Sequence, residues 1–346
     1  MNDRGASAQP SRAQQSNASA PGGVPAVAPA LRSSFIDRAA HAAAPIVRSW
    51  LSPEQIWNAA ARRVDHAAQL VADAATNGEA SLHDSNAAST SAAKLINTSC
   101  GSAIAALLRR HGDDPFWVID VLAHNLDLDS PAALRAIVEA ASREYELSVP
   151  RAIRFFRGAH EAPLHLGLPP ARPDYFVLAG NVRELQQLPA PEGYDSVEVR
   201  AASDLSWYDK YTEAYAEFQR RAPDLRSFVV LETRQTLLSF MQQGVVAEVL
   251  VGGRWGGVVA AVRDDAFNLR GYRMVEEILS HEFRGKGLGT AMQRRFIDLL
   301  QPDHNGRAAD YPIVFGRISA INPPSLATAR RVGRVEVARW ELIDLP

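Results

Sequence analysis

Arg284-Gly285-Lys286-Gly287-Leu288-Gly289-Thr290 follows an apolar run that predicts a strand, Tyr272–Leu279, and precedes a helical pattern that runs to Leu300. Its glycines let the backbone turn sharply and leave no side chain in the way of a ligand. The N-terminus of the following helix offers free N–H groups and the positive end of the helix dipole. Arg284 and Lys286 add positive charge, so the stretch predicts a phosphate or pyrophosphate site.

Two well-known phosphate-binding patterns do not fit this stretch. A Walker P-loop needs Ser or Thr after its lysine, but Lys286 is followed by Gly287. A dinucleotide fingerprint needs G-x-G-x-x-G, whereas Gly285, Gly287 and Gly289 run G-x-G-x-G and no acidic partner follows in a second βαβ unit. The stretch resembles the R-x-x-G-x-G pyrophosphate loop of the GNAT acetyltransferases. An ordinary strand-to-helix turn is the alternative.

A second segment, downstream, also matches the GNAT pattern. Asn322 precedes a predicted helix, Pro323–Val332. Ser325 and Gly333 follow Asn322 at the spacing found in the family. From the residues alone, Asn322 is equally well explained as a helix N-cap and Gly333 as a C-cap. The resemblance covers residues 195–346.

The resemblance implies an α/β GNAT fold, with a mixed, mostly antiparallel sheet flanked by helices. It implies acetyl-CoA as co-substrate, no metal ion, and transfer of the acetyl (acyl) group to a primary amine on a small molecule or a protein. The residues expected to contact CoA lie on the strand, in the glycine loop and at the start of the later helix: Ile278, Leu279, Arg284, Gly285, Lys286, Gly287, Leu288, Gly289, Thr290, Asn322 and Ser325.

The family often places a carboxylate base on the strand before the glycine loop, where this chain has Glu276 and Glu277. Successive strand residues face opposite sides, so we expect only one of them to face the cleft. Glu277 is preferred because it lies two residues before Leu279 and therefore faces the same side of the strand. Apolar surroundings would raise the pKa of the chosen carboxyl. The alternatives are that both are exposed or paired carboxylates, or that His281 is the base.

The chain departs from the family at the usual general acid, a tyrosine, because that position holds Ala329. Tyr272, Tyr311 or a water would have to replace it, or the thiolate leaves without an acid. This departure keeps a second function open, that of a catalytically degenerate acyl-CoA-binding regulatory or interaction protein.

Before residue 195 the sequence predicts three regions. Residues 1–33 are rich in Ala, Ser, Pro and Gln and should be disordered. Residues 34–165 predict an α-helical domain of unknown role. Residues 166–194 predict a proline-rich connector, with one short strand at Tyr175–Leu178.

The helical prediction for 34–165 rests on helix-start signals. Ser52-Pro53-Glu54-Gln55 has an N-cap serine, a proline at the first helical position and a reciprocating Gln. Ser130-Pro131 is a second start, and further starts are expected near Ser102 and at Asp114-Pro115. Residues 76–93 predict a loop.

The composition of the chain limits the binding partners and the cellular compartment that we expect. The net charge of −2 indicates no nucleic-acid surface, and no run approaches the roughly 18 apolar residues of a membrane span, so neither partner is expected. Cys100 is the only cysteine, which fits a reducing compartment, and we expect it to be a small buried hydrophobe. We therefore expect a cytoplasmic protein, with a homodimer left open. The N-terminal composition also resembles, weakly, that of secreted bacterial effectors delivered into host cells.

Overall fold

The structure is a computed structural model that describes residues 27–77, 93–110, 115–166, 170–226, 228–301 and 311–346. The helices are α1 (Pro29–His41), α2 (Pro45–Trp50), α3 (Pro53–Asn77), α4 (Pro131–Glu144), α5 (Val182–Gln187), α6 (Tyr208–Arg221), α7 (Arg234–Gln243), α8 (Leu288–Leu299) and α9 (Pro323–Arg331). The strands are β1 (Lys94–Thr98), β2 (Gly101–Arg110), β3 (Phe116–His124), β4 (Ala152–Gly158), β5 (Arg172–Asn181), β6 (Val197–Ala201), β7 (Gly244–Val251), β8 (Arg254–Ala266), β9 (Leu269–Leu279), β10 (Ile313–Ser319) and β11 (Val335–Asp344).

These strands form one 11-stranded sheet in the order β1-β2-β3-β4-β11-β5-β10-β9-β8-β7-β6. The β3–β4 and β9–β10 pairs are parallel and the other neighbouring pairs are antiparallel. Helices cover both faces. The expected α/β fold, with a mixed and mostly antiparallel sheet flanked by helices, is confirmed.

Alternation along the central strands assigns each helix of the second part of the chain to one face. Val258 packs in the cluster that contains Tyr211 of α6 and Leu237 of α7. The next residue, Val259, packs in the cluster that contains Phe296 of α8. Since neighbouring strand residues point to opposite faces, α6 and α7 cover one face and α8 covers the other.

Helices predicted in the N-terminal region are confirmed at two places. Ser52 and Gln55 form the expected capping box: the Ser52 N–H donates to Gln55 Oε1 at 2.9 Å, and the Gln55 N–H donates to Ser52 Oγ at 3.2 Å. The Ser130 hydroxyl caps α4 by accepting from the Ala133 N–H at 3.4 Å. A helical N-terminal region, α1 to α3, therefore precedes the sheet.

The extent of the helical domain predicted for 34–165 is corrected by the structure. Strands β1 to β4 lie in this range, Ser102 is part of β2, and Pro115 comes directly before β3. The segment Ala103–Leu107 is buried throughout, because β2 is covered on both faces. A continuous apolar run of this kind does not alternate, so its periodicity does not distinguish a strand from a buried helix.

Two predicted boundaries also change. Helix α1 begins at Pro29, inside the predicted tail 1–33, of which residues 1–26 lie outside the described residues. The predicted connector 166–194 contains β5, which pairs with β10 on one side and β11 on the other, and helix α5. The strand expected at Tyr175–Leu178 is therefore present and longer.

The predicted loop at 76–93 lies largely outside the described residues, since α3 ends at Asn77 and the chain is next described at Ala93. Cys100 is exposed in the turn between β1 and β2, so the expectation of burial is wrong. None of the helices in the described part of the chain is long and apolar enough to cross a membrane.

Candidate active site

A cleft opens where β9 and β10 separate. Their parallel ladder joins Gly271–Arg273 to Ile313–Phe315. Beyond this ladder, β9 continues beside β8 and β10 continues beside β5. Val275 forms a bulge in β9, because Glu276 pairs with Ala260 whereas Met274 pairs with the next residue of β8, Ala261. The cleft has a volume of about 480 Å³ and is lined by both carboxylates of interest, Glu276 and Glu277.

The glycine turn after β9 has the geometry of an anion site. Gly285 and Gly287 have φ values of +73° and +76°, the left-handed region that favours glycine, and a Cβ at either position would meet open space. Helix α8 begins at Leu288, with no side chain capping its N-terminus and no acidic residue in its first turn. The first N–H groups of α8 are therefore available to an anion.

The two basic residues of the turn differ in their surroundings. Arg284 is half-buried, and its Nε donates to the Leu279 carbonyl at 2.6 Å while Nη2 donates to the Ala214 carbonyl at 3.2 Å. Burial lowers the pKa of this guanidinium. Arg284 thus holds the turn against β9 and α6. Lys286 is exposed, with its Nζ 5.7 Å from the centroid of the Phe283 ring, and is the better placed of the two cations to face a phosphate.

Other predicted contact residues pack the turn into the fold. A Cβ at Gly289 would lie 3.2 Å from the Thr328 side chain, so glycine allows α8 to approach α9 closely. Thr290 is buried in the first turn of α8. Ile278 is buried against the α6–α7 face, and Leu279 packs on the α8 face.

Asn322 has the structural role that the sequence left open, and it also lines the cleft. Its Oδ1 accepts from the Ser325 N–H at 3.3 Å, which caps α9. Gly333 follows α9 with a φ of +99°. Since Asn322 and Ser325 both border the cleft, the capping role does not remove them from the site.

Glu276 is held by two tyrosines of α6. The Tyr211 hydroxyl donates to Oε2 at 2.5 Å, and the Tyr215 hydroxyl lies 2.8 Å from both carboxyl oxygens. The Glu277 N–H also donates to Oε1 at 2.9 Å. Glu276 is only 4% exposed, and burial raises its pKa to about 8 despite these donors.

Glu277 has different partners on the other side of the sheet. Gln293 of α8 donates to its Oε2 at 2.6 Å, and Nη1 of the buried Arg334 lies 3.6 Å from its Oε1. Its side chain is 22% exposed. Burial raises the pKa of Glu277, and the Arg334 guanidinium and the Gln293 amide oppose that shift.

The expectation that only one of these glutamates would face the cleft is wrong. Strand alternation does send them to opposite faces, as their partners Tyr211 and Gln293 show. Both nevertheless line the cleft, because the separation of β9 from β10 opens the sheet to both faces.

The two tyrosines expected as replacements for the missing tyrosine acid do not line the cleft. Ala329 is fully buried in a cluster with Leu178, Ile318 and Leu326. Tyr272 donates to the Gln301 carbonyl at 3.0 Å and packs against Tyr311, and neither lines the cleft. His281 is exposed in the turn after β9 and does not line it either.

Several residues of the cleft were not predicted as site residues. Tyr215 lines the cleft, and Tyr211, which does not, binds the same carboxylate from four positions earlier on α6. This spacing indicates a shared face but not the common carboxylate partner. Arg334, His66, Tyr175 and Phe228 come from distant parts of the chain, so only the fold brings them together. No cluster of three or more His, Cys, Asp or Glu side chains suited to a metal ion occurs in the described ranges.

The sequence matches no protein-family model and no curated protein. Among solved structures, it is similar to a GNAT-family acetyltransferase from Colwellia psychrerythraea, with 10% identity over 70% of this chain and 86% of that one and a TM-score of 0.42. It is also similar to a GCN5-related N-acetyltransferase from Kribbella flavida, with 11% identity, coverage of 73% and 90% and a TM-score of 0.39. A tandem GNAT protein from the clavulanic acid pathway gives 11% identity, coverage of 71% and 79% and a TM-score of 0.41.

At this level of similarity, the fold assignment depends on the architecture of the chain itself. Strands β6 to β10 and helices α6 to α9 form a mixed sheet flanked by helices, β9 and β10 are its separated parallel strands, and the glycine turn leads into α8, which connects them. The second part of the chain, from β6 to β11, has the mixed, helix-flanked sheet that the resemblance to the GNAT acetyltransferases implied.

Proposed function

We propose that this chain is an acyl-CoA-dependent N-acyltransferase that transfers an acetyl group from acetyl-CoA to a primary amine. The observation that carries the proposal is the juxtaposition of an uncapped helix N-terminus, preceded by glycines in left-handed conformations, with a cleft lined by two carboxylates, the buried Glu276 and the partly exposed Glu277. The first feature suits a diphosphate and the second suits proton transfer from an amine.

In the proposed complex, the CoA diphosphate binds the first N–H groups of α8, with Lys286 adding charge. The acyl-pantetheine arm enters the gap between β9 and β10, where backbone N–H groups of β9 lie without a strand partner from β10 and can polarise the thioester carbonyl. Holding both reactants in one cleft supplies a large part of the rate.

Glu277 is the better placed of the two bases. Its carboxylate is partly exposed, whereas the oxygens of Glu276 are occupied by Tyr211, Tyr215 and a backbone N–H. Glu277 takes a proton from the amine, directly or through water. The amine nitrogen forms a bond to the carbonyl carbon, and the tetrahedral intermediate collapses with cleavage of the C–S bond. The departing thiolate takes a proton from water, and the resulting hydroxide takes the proton held on Glu277, which regenerates the carboxylate.

The test measures binding and turnover separately. Acetyl-CoA is titrated by calorimetry, and thiol release is followed over a panel of spermidine, L-lysine, glucosamine and a lysine-containing peptide. We expect acetyl-CoA to bind, at least one amine to be acetylated, and Glu277→Gln to lower kcat by roughly a hundredfold or more while the Kd for acetyl-CoA stays unchanged. A wild-type chain that does not bind acetyl-CoA would contradict the proposal.

The second candidate is a degenerate acyl-CoA-binding protein that has lost catalysis. The buried Ala329 favours it, because the position of the usual acid has become part of the apolar core. Binding of acetyl-CoA without turnover on any amine of the panel would select this candidate over the enzyme.

A further inference from the structure

The described chain contains a similar series of elements twice, apart from α2 in the first series and α9 before the last strand of the second. The order of two helices, three antiparallel strands, a helix and a parallel strand occurs as α1, α3, β1, β2, β3, α4, β4. It recurs as α6, α7, β7, β8, β9, α8, β10. Each series is then followed by a last strand, β5 or β11. We call residues 27–181 the first half and residues 194–346 the second half.

The strand order is symmetric about the β11–β5 pair. Reading outwards gives β4, β3, β2, β1 on one side and β10, β9, β8, β7 on the other, and β6, at the far edge of the second side, has no counterpart. Each half gives its last strand to the other half, since β5 pairs with β10 and β11 pairs with β4. The register follows the same twofold relation: Ala179 pairs with Val335, and the equivalent pair Arg172–Leu342 is also present.

The bulge at the centre of the site is duplicated as well. In the second half Val275 is the extra residue between Met274 and Glu276. In the first half Leu122 is the extra residue, because Ile104 pairs with Ala123 whereas Ala105 pairs with Val121. This alignment makes Ala123 the counterpart of Glu276, and His124 the counterpart of Glu277.

The first half lacks the features of an acyl-CoA site at these equivalent positions. Its connection from β3 to α4, residues 125–130, contains no glycine, and the Ser130 side chain already caps α4. Asp127 and Asp129 place negative charge just before this helix, where a diphosphate would have to bind. Burial and the neighbouring Arg38 guanidinium lower the pKa of His124 to about 3, which keeps it neutral.

The gap between β3 and β4 is also nearly closed. The cavity there measures about 20 Å³, compared with about 480 Å³ between β9 and β10. Arg63 and Phe156 fill it, with the guanidinium 4.1 Å from the ring centroid. The ion pair between Arg38 and Glu161, 2.7 Å apart, lies at the same place. An acyl-pantetheine arm has no room in this half.

Instead, the first half reaches into the cleft of the second. His66 of α3 and Tyr175 of β5 both line the large cleft, opposite Phe228 in the α6–α7 connection. Helix α3 is held there by an ion pair between Arg62 and Asp265 of β8, and the Asn268 amide donates to the Ala39 carbonyl of α1 at 3.0 Å. The Tyr175 ring lies 4.8 Å from the Arg317 guanidinium and 6.2 Å from the Phe228 ring.

We propose that the first half is a duplicate of the catalytic half that has lost its acyl-CoA site and now forms the acceptor wall of the remaining one, through His66 and Tyr175. The inference rests on the proposed function and adds two statements to it. The chain has one acyl-CoA site for its two halves, and the amine substrate contacts side chains of the half that binds no cofactor.

The first test is the stoichiometry of CoA binding to the full chain by calorimetry. We expect one CoA per wild-type chain, and a loss of at least about tenfold in affinity at that single site in Gly287→Glu, which introduces a side chain and a negative charge at the turn of the second half. Two CoA molecules per wild-type chain, with one of them still bound at unchanged affinity in Gly287→Glu, would show that the first half retains a site. This result is distinct from a wild-type chain that ignores CoA, which contradicts the proposed function itself.

The second test uses the amine of the panel with the highest turnover. His66→Ala and Tyr175→Ala should raise its KM roughly two- to tenfold, the effect of losing one contact, and leave the KM of acetyl-CoA unchanged. Gln69→Ala is the matched control, since Gln69 is exposed one turn further along α3 and its side chain bonds to Asp73. An unchanged amine KM in both variants, with native thermal unfolding, would remove the first half from the acceptor site.

Discussion

Replacing Arg334 by glutamine should move the pH dependence of the reaction to higher pH. Arg334 is fully buried and its Nη1 lies 3.6 Å from Glu277 Oε1, so its charge favours the ionised carboxylate. An opposite charge at this range lowers a carboxyl pKa by about 1 to 3 units. Because Glu277 is also partly exposed, we expect the acid limb of kcat/KM to shift upward by about 1 unit, at the lower end of that range.

The assay is thiol release measured across the acid limb for the wild type, Arg334→Gln, Glu277→Gln and Arg331→Gln. Arg331 is an exposed arginine at the end of α9 and serves as the matched control. Its profile should match the wild type, and Glu277→Gln should have no measurable limb. Thermal unfolding of Arg334→Gln checks that the loss of a buried side chain has not unfolded the protein. A folded Arg334→Gln protein whose limb stays in place would refute the base assignment.

Three further results are expected. Glu276→Gln should remove a pH dependence of the free energy of unfolding. The pKa of Glu276 in the folded state, about 8, lies above its ordinary value of 4.5, so the folded state keeps a proton that the unfolded state loses, and the stability of the wild type should fall between these pH values by up to about 1.4 kcal/mol per pH unit. Denaturant unfolding of the wild type, with the variant as the reference that lacks this pH dependence, measures the effect. Ala329→Tyr places the family's tyrosine at its usual position. It should destabilise the protein by about 1 to 3 kcal/mol without raising kcat, because Ala329 is fully buried against Leu178 and Ile318. A higher kcat in this variant would show that the cleft reaches this position. Lys286→Ala should weaken CoA binding by a factor of about 2 to 5 at low salt and less at high salt, since the ammonium group is exposed; equal weakening at both salt concentrations would argue against a charge interaction.

The second half of the fold was largely predictable because its signals are local. The glycine turn at Gly285 and Gly287 and the capped helix at Asn322 each need only a few neighbouring residues to be recognised. The first half was harder, since the buried alanine-rich strand β2 has the composition of a good helix former. Strand burial on both faces overrides that propensity, and it depends on partners far along the chain.

The candidate site was likewise predictable only where its sequence signals are local. The pair Glu276 and Glu277 follows from the strand before the glycine turn, but the assignment of one to each face and both to the cleft depends on where β10 separates from β9. Arg334 and Tyr175 reach the cleft through the exchange of β11 and β5 between the halves. Pairings of this kind are set by tertiary packing and leave no periodic signal in the sequence.

Calorimetric titration of CoA into the wild type and Gly287→Glu tests the glycine turn directly. The left-handed φ of +76° at Gly287 and the free N–H groups after it predict that the wild type binds CoA and that the variant loses at least about tenfold in affinity, through backbone strain and charge repulsion. Equal affinity of the two proteins, with the variant folded, would contradict the assignment of a diphosphate to the N-terminus of α8.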